Sequence, residues 1–96
     1  MQIKWLRKAL LNLDKEAEFI AIEDPHAAQL IMQRIRHTVS LLKDNPSMGY
    51  PGRLPDTREL VIPKTSYLVP YRVKPRQNRI EILRVFHTSR QKPEKW

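Results

Sequence analysis

Apolar residues change their period along the chain, and each change marks a boundary. Ile3 and Trp5 alternate with Gln2 and Lys4, the two-residue period of a short strand. From Leu6 the spacing turns helical: Leu6, Leu10, Leu13, Ala17 and Ile20 recur at three- and four-residue steps, and Phe19 and Ile22 widen the stripe into a well-covered helix. Arg7, Lys8, Lys15, Glu16 and Glu18 fall mostly outside it. Glu23-Asp24-Pro25 ends this helix. The residue before a proline disfavours helical backbone, Asp24 is a capping residue type, and Pro25 suits a first turn, where its missing N–H costs nothing. A second helix is predicted over residues 25–43, burying Ala28, Ile31, Ile35, Val39 and Leu42 with Met32 beside them. Lys43, Asn45 and Pro46 close it. So short a link predicts an antiparallel helical hairpin whose apolar stripes are core packing.

Residues 44–56, DNPSMGYPGRLPD, read as the one long loop. It holds both glycines and three prolines, which predicts a stiff, defined conformation. Neither glycine has the neighbours of a phosphate-cradling motif. Three strands follow, over residues 57–62, 66–73 and 79–87, joined by turns short enough to make them antiparallel neighbours. Tyr67, Val69, Tyr71 and Val73 share one parity, but Pro70 cannot donate a ladder bond and marks a bulge or an unpaired edge. A bulge would flip the parity after it, leaving the faces of Tyr71 and Arg72 open. In the last strand, alternation sets Ile80, Ile82, Arg84 and Phe86 against Glu81, Leu83, Val85 and His87. Both sets are largely apolar, as in a central, covered strand.

Ninety-six residues make one domain, 1–96, with one modest core. Zero cysteines exclude disulfides, thiolate metal sites and cysteine nucleophiles, and a reducing cytoplasm is the simplest expectation. No apolar run reaches the ~18–20 residues of a membrane span, so no membrane role is expected. Charge is lopsided. Residues 1–52 carry seven Lys/Arg and six Asp/Glu, a net of +1; residues 53–96 carry eleven and four, a net of +7. The basic field therefore belongs to the sheet and tail and favours polyanions or an acidic protein partner.

Candidate chemistry is sparse. His26 and His37 lie eleven residues apart on the second helix, too far to share a metal, and read as exposed. Arg84 stands among Ile80, Ile82 and Phe86, so it needs a carboxylate partner (Glu59 or Glu81) or an open anion-binding cleft. His87 ends the strand near Arg90 and Lys92, and its unperturbed pKa of ~6.5 suits an acid or base. No catalytic triad or metal cluster follows from the spacing, and no cofactor is implied. Trp96 either packs back on the sheet or contacts a partner.

Taken together, the element order strand–helix–helix–strand–strand–strand resembles the RelE/ParE superfamily of toxins from type II toxin–antitoxin modules. The detailed match is GRLPDTRELV at residues 52–61, YLVPYRV at 67–73 and EILRVFH at 81–87, with Arg90 and Pro93 beyond. The hairpin and the loop NPSMGYPGR are similar too, so the resemblance spans nearly the whole chain. It implies an α+β fold with a helical hairpin on a small, mainly antiparallel sheet. It is nearest to ParE-like members, which poison DNA gyrase without being nucleases, and it implies a cognate acidic antitoxin whose disordered tail folds on contact. The target-binding candidates are then Arg53, Arg58, Tyr67, Arg72, Arg84, His87, Arg90 and Trp96.

RelE-like members are the alternative: they cut mRNA in the ribosomal A site, a reaction that needs a base, an acid and cations over one phosphate. Arg58, Arg72, Arg84 and His87 would be the catalytic parts. A histidine ending the last strand occurs in some such nucleases, but the tail TSRQKPEKW lacks the tyrosine they often carry there. A third reading is a basic module binding nucleic acid directly through Tyr67, Tyr71 and Arg72.

Overall fold

The computed structural model describes residues 1–89. Its elements run β1 (Gln2–Trp5), α1 (Arg7–Glu23), α2 (Pro25–Ser40), a 3-10 turn (Leu41–Lys43), β2 (Tyr50–Pro51), β3 (Arg58–Val61) and β4 (Tyr67–Lys74). A second 3-10 turn (Pro75–Gln77), β5 (Arg79–Ile82) and β6 (Phe86–His87) complete them. The sheet order is β1-β5-β4-β3-β2, with β6 also on β4. The β1–β5 pair is parallel; the other pairs are antiparallel. The fold is α+β, a helical hairpin packed on one face of a mixed, mostly antiparallel sheet.

The hairpin forms as its sequence predicts. Asp24 breaks the helical backbone, and its carboxylate accepts the Ala27 N–H at 3.0 Å, capping α2 over Pro25. Ala28, Ile35, Val39 and Leu42 are buried as expected. In α1 the buried stripe keeps Leu13 and Ile20 of the expected one but takes Ala9 in place of Leu10. Ala9, Leu13 and Ile20 face the core, while Leu10, Phe19 and Ile22 are 45%, 58% and 83% exposed. Both stripes satisfy the helical period. The one containing Ala9, fully buried, lets the helix approach the sheet closely.

Tyr67, Val69 and Tyr71 all enter the core, so parity holds straight through Pro70 in β4. The disruption falls on the partner. Tyr71 pairs with Ile82, yet Leu68 pairs with Phe86, so residues 83–85 oppose only residues 69 and 70. The Pro70 carbonyl accepts the Leu83 N–H at 2.9 Å, and on that same edge the proline has no N–H to return. A bulge follows and divides the expected last strand into β5 and β6. Its consequence corrects the simple alternation: Val85 joins Ile80 and Ile82 in the core, and Arg84 and Phe86 leave their face. The amide of Val85, freed from the ladder, donates to Asn12 Oδ1 of α1 at 3.1 Å.

The long loop also differs. It carries β2, whose Tyr50 and Pro51 pair with Glu59 and Arg58 and extend the sheet by one short edge strand. At the other end of β4, the turn into β5 closes on Asn78 with φ 51°, a left-handed backbone that asparagine tolerates.

Candidate functional site

Two of the arginines the sequence singles out, Arg72 and Arg84, lie on or beside the helix-free face of the sheet. Register gives two cross-strand rows there. Lys4, Glu81 and Arg72 form one across β1, β5 and β4; Gln2, Arg79 and Lys74 form the other. Glu81 is only 5% exposed, and both of its oxygens are engaged. Arg72 Nε donates to Oε1 at 2.7 Å, and Arg79 donates from Nη2 to Oε2 at 2.7 Å. Hydrogen bonding from Arg72 holds the carboxyl below the usual glutamate range, against the opposing effect of its burial. Arg79 Nε is a buried donor without a partner among the described residues.

Arg72 and Arg84 line one cleft of about 440 Å³ with Leu54, Pro55, Thr57 and Leu83. Arg84 is lifted to this side by the bulge, and one of its Nη1 hydrogens goes to the Leu83 carbonyl at 2.6 Å. The sequence offered Glu59 and Glu81 as partners for Arg84. Glu81 is engaged by Arg72 and Arg79, and Glu59 Oε2 accepts the backbone N–H of Arg53 at 3.1 Å. A backbone carbonyl is thus among the groups that hold the Arg84 guanidinium.

Arg58 lies on the other face, paired with Tyr71. Its Nη1 donates to the carbonyls of Gly49 at 2.8 Å and Ser47 at 3.4 Å, so it latches the glycine loop. Tyr71 completes that latch: its hydroxyl donates to the Pro46 carbonyl and accepts the Gly49 N–H. Burial raises the phenol's pKa, with the Gly49 N–H and the Arg58 charge acting in opposition.

His87 also sits on the helix side, paired with Tyr67. The two rings meet edge to face, 5.1 Å between centroids at 90°. Tyr67 is 3% exposed, and its hydroxyl donates to Glu16 Oε1 at 2.9 Å. Ser89 approaches His87 Nδ1 through its amide at 3.3 Å and its hydroxyl at 2.8 Å, so Nδ1 is an acceptor when the ring is neutral. The geometry thus joins Arg72 with Arg84 and separates both from His87 and Arg58. Arg53 is exposed on the loop, and Arg90 and Trp96 lie outside the described residues. Tyr67 and Tyr71 are both buried.

Three contributors escaped the sequence reading. Arg79 stands two residues before Glu81 on β5, so strand alternation alone puts the two on one face. Asn12 and Glu16 gave a faint signal, as polar residues one helical turn apart beside the buried stripe. His26 and His37 are exposed. Among the described residues, no group of three or more His, Cys, Asp or Glu could hold a metal ion, and no helix is long and apolar enough to cross a membrane.

Comparisons with known proteins agree over almost the full length. A family model described as the ParE toxin of the type II toxin–antitoxin system parDE matches residues 3–92. The Sinorhizobium fredii protein Y4kP, named a toxin by inference, is 39% identical over 93 residues, covering 97% of this chain and 94% of that one. The chromosomal ParDE toxin–antitoxin system from P. aeruginosa contains a chain that superposes with a TM-score of 0.83 at 30% identity, covering 93% of this chain and 97% of that chain. The intact E. coli RelBE toxin–antitoxin complex matches with a TM-score of 0.65 at 13% identity, covering 93% of this chain and 98% of that chain, a likeness of fold alone.

Proposed function

This chain belongs to the ParE toxin family of type II toxin–antitoxin systems, and we propose that it arrests growth in the cytoplasm by inhibiting DNA gyrase. The observation that carries this choice of target is the separation of His87 from Arg72. Cutting an RNA phosphodiester requires a proton acceptor and cations around one phosphate. Here the histidine lies against Tyr67 on the helix side, and Arg72 lies across the sheet, in the cleft with Arg84. Arg58, the third candidate cation, is bonded to loop carbonyls. An arrangement of that kind suits a surface that contacts a protein target better than one that cuts RNA.

A cognate antitoxin is the second partner. The P. aeruginosa relative is a toxin–antitoxin system, and the same arrangement here would pair an acidic antitoxin with the +7 carried by residues 53–96. Exposed Phe19 and Ile22 on α1 would give such a segment apolar anchors. The test of the target is the lesion left in arrested cells. Expression should produce protein-linked DNA breaks with mRNA 5′ ends unchanged in primer extension. New mRNA ends with intact DNA would replace this reading by the ribosome-dependent nuclease.

A further inference from the structure

We propose that the helix-free face formed by β1, β5 and β4 binds the phosphate backbone of duplex DNA, so that the toxin grips the DNA that gyrase holds as well as the enzyme. The proposal rests on the gyrase reading for its setting, and on the sheet for its chemistry.

Six positions in two rows make the patch: Lys4, Glu81 and Arg72, then Gln2, Arg79 and Lys74. Four are cations and one is an anion, a net of +3. Neighbouring strands lie about 4.8 Å apart and alternate residues about 6.7 Å along a strand, so the patch spans roughly 10 by 7 Å. Duplex DNA carries one charge per ~1.7 Å of axis, so several phosphates fall within reach of such a patch. Arg76 extends it from the turn between β4 and β5.

The interior of the patch is built rather than merely charged. Glu81 fixes Arg72 and Arg79 from below through two bonds of 2.7 Å, which sets the guanidiniums in a fixed arrangement. A carboxylate shared by two arginines leaves each with further N–H donors, and the Arg72 and Arg79 side chains remain 41% and 31% exposed. None of the six positions is aromatic, so the patch has no platform for unstacked bases and is matched to a backbone. The buried Tyr67 and Tyr71 supply none on the opposite face either. The features favour duplex phosphates over a single strand. An acidic protein segment is the competing occupant, and the test separates the two.

The full 96-residue chain is titrated against a short labelled DNA duplex between about 50 and 200 mM KCl, beside the variant Lys4→Ala/Lys74→Ala/Arg76→Ala. Among the described residues these side chains hold no carboxylate, and circular dichroism verifies that the variant is folded. Expected is binding by the parent chain whose affinity falls with salt, and a slope reduced in the variant by about 0.9 for each phosphate it no longer neutralises. No binding by the parent chain, or an unchanged slope in the variant, overturns the proposal. So does a variant that keeps its DNA slope but binds the antitoxin more weakly, since the face would then belong to an acidic protein. Gyrase trapping is scored in parallel. Trapping without DNA binding overturns this inference and spares the gyrase reading; DNA binding abolished in the variant, with no trapping by either protein, supports this face and removes its gyrase setting.

Discussion

Gly49 donates its amide hydrogen to the buried hydroxyl of Tyr71 at 2.9 Å, and that hydroxyl passes its own hydrogen to the Pro46 carbonyl at 2.7 Å. One phenol in the central strand thereby fixes the loop that leads into β2. Tyr71→Phe leaves two polar backbone groups without it, at an expected cost of about 1–3 kcal/mol. For a domain of this size that is a fall in Tm of ~4–8 °C per kcal/mol. Gly49→Ala should be at least as harmful. A Cβ there would stand 2.7 Å from Tyr71 Cε1 and 2.9 Å from the Glu59 carbonyl, with no flexible side-chain end to give way. Thermal unfolding measures both, and amide exchange should localise the Tyr71→Phe effect to the loop.

The Arg72–Glu81–Arg79 group makes stability depend on acid. Glu81 has a folded pKa below its ordinary value of 4.5, so the unfolded chain binds the proton more readily. Its stabilisation is therefore complete above that ordinary value and is lost as the pH falls through the lower folded one. Compared with Glu81→Gln, the parent chain should show an advantage near neutrality that shrinks below about pH 4.5. Urea unfolding at a series of pH values tests this, and a constant difference would contradict it.

Arg72→Ala leaves the buried carboxylate with one partner. The cost should be roughly 2 kcal/mol, below the ~3–5 of a fully buried pair, because Arg79 remains and Arg72 is partly in water. Arg72→Lys should recover only part of it, since one ammonium does not reproduce the guanidinium's directed Nε bond. Denaturant melts of the two variants give the comparison.

Asn12 supports the bulge from outside the sheet. Asn12→Ala removes the acceptor of the Val85 N–H and should cost about 1–2 kcal/mol. Asn12→Asp keeps an acceptor in place and should restore most of the loss. Equal destabilisation by the two would show that the amide group, rather than the acceptor oxygen, is what the bulge needs.

Two side chains distinguish target binding from chemistry. Arg84→Glu reverses charge in the cleft shared with Arg72 and should raise the concentration for half-maximal gyrase trapping about tenfold, equivalent to ~1.4 kcal/mol. His87→Ala removes the ring packed on Tyr67, so its main effect should be ~0.5–1.5 kcal/mol of stability, with trapping preserved. A His87→Ala protein that is folded but inert would point back to catalysis.

Much of this fold is legible in the sequence, for local reasons. Asp24-Pro25 stops one helix and caps the next within two residues, and the three later strands are punctuated by their turns. What escapes is set at a distance. Pro70 signals a broken ladder, but the extra residue appears on the facing strand, so the core faces of Val85 and Arg84 follow only from pairing. The α1 stripe containing Leu10 and the one containing Ala9 fit the same period, and packing against the sheet decides between them. β2 has two residues and no pattern of its own. Arg72 and Arg84 are visible as odd cations, yet their common cleft depends on the bulge, and Arg72 becomes a partner of Glu81 only through strand pairing, whereas Arg79 stands two residues from Glu81 on the same strand.

The gyrase assignment is tested most directly with purified components. The folded, growth-arresting protein is added to gyrase, ATP and relaxed plasmid, and linear DNA is scored after protein denaturation and digestion. The account predicts linear plasmid that accumulates with toxin dose, accompanied by inhibited supercoiling and suppressed by the cognate antitoxin. Normal supercoiling with no linear product, at doses that arrest growth, would contradict it.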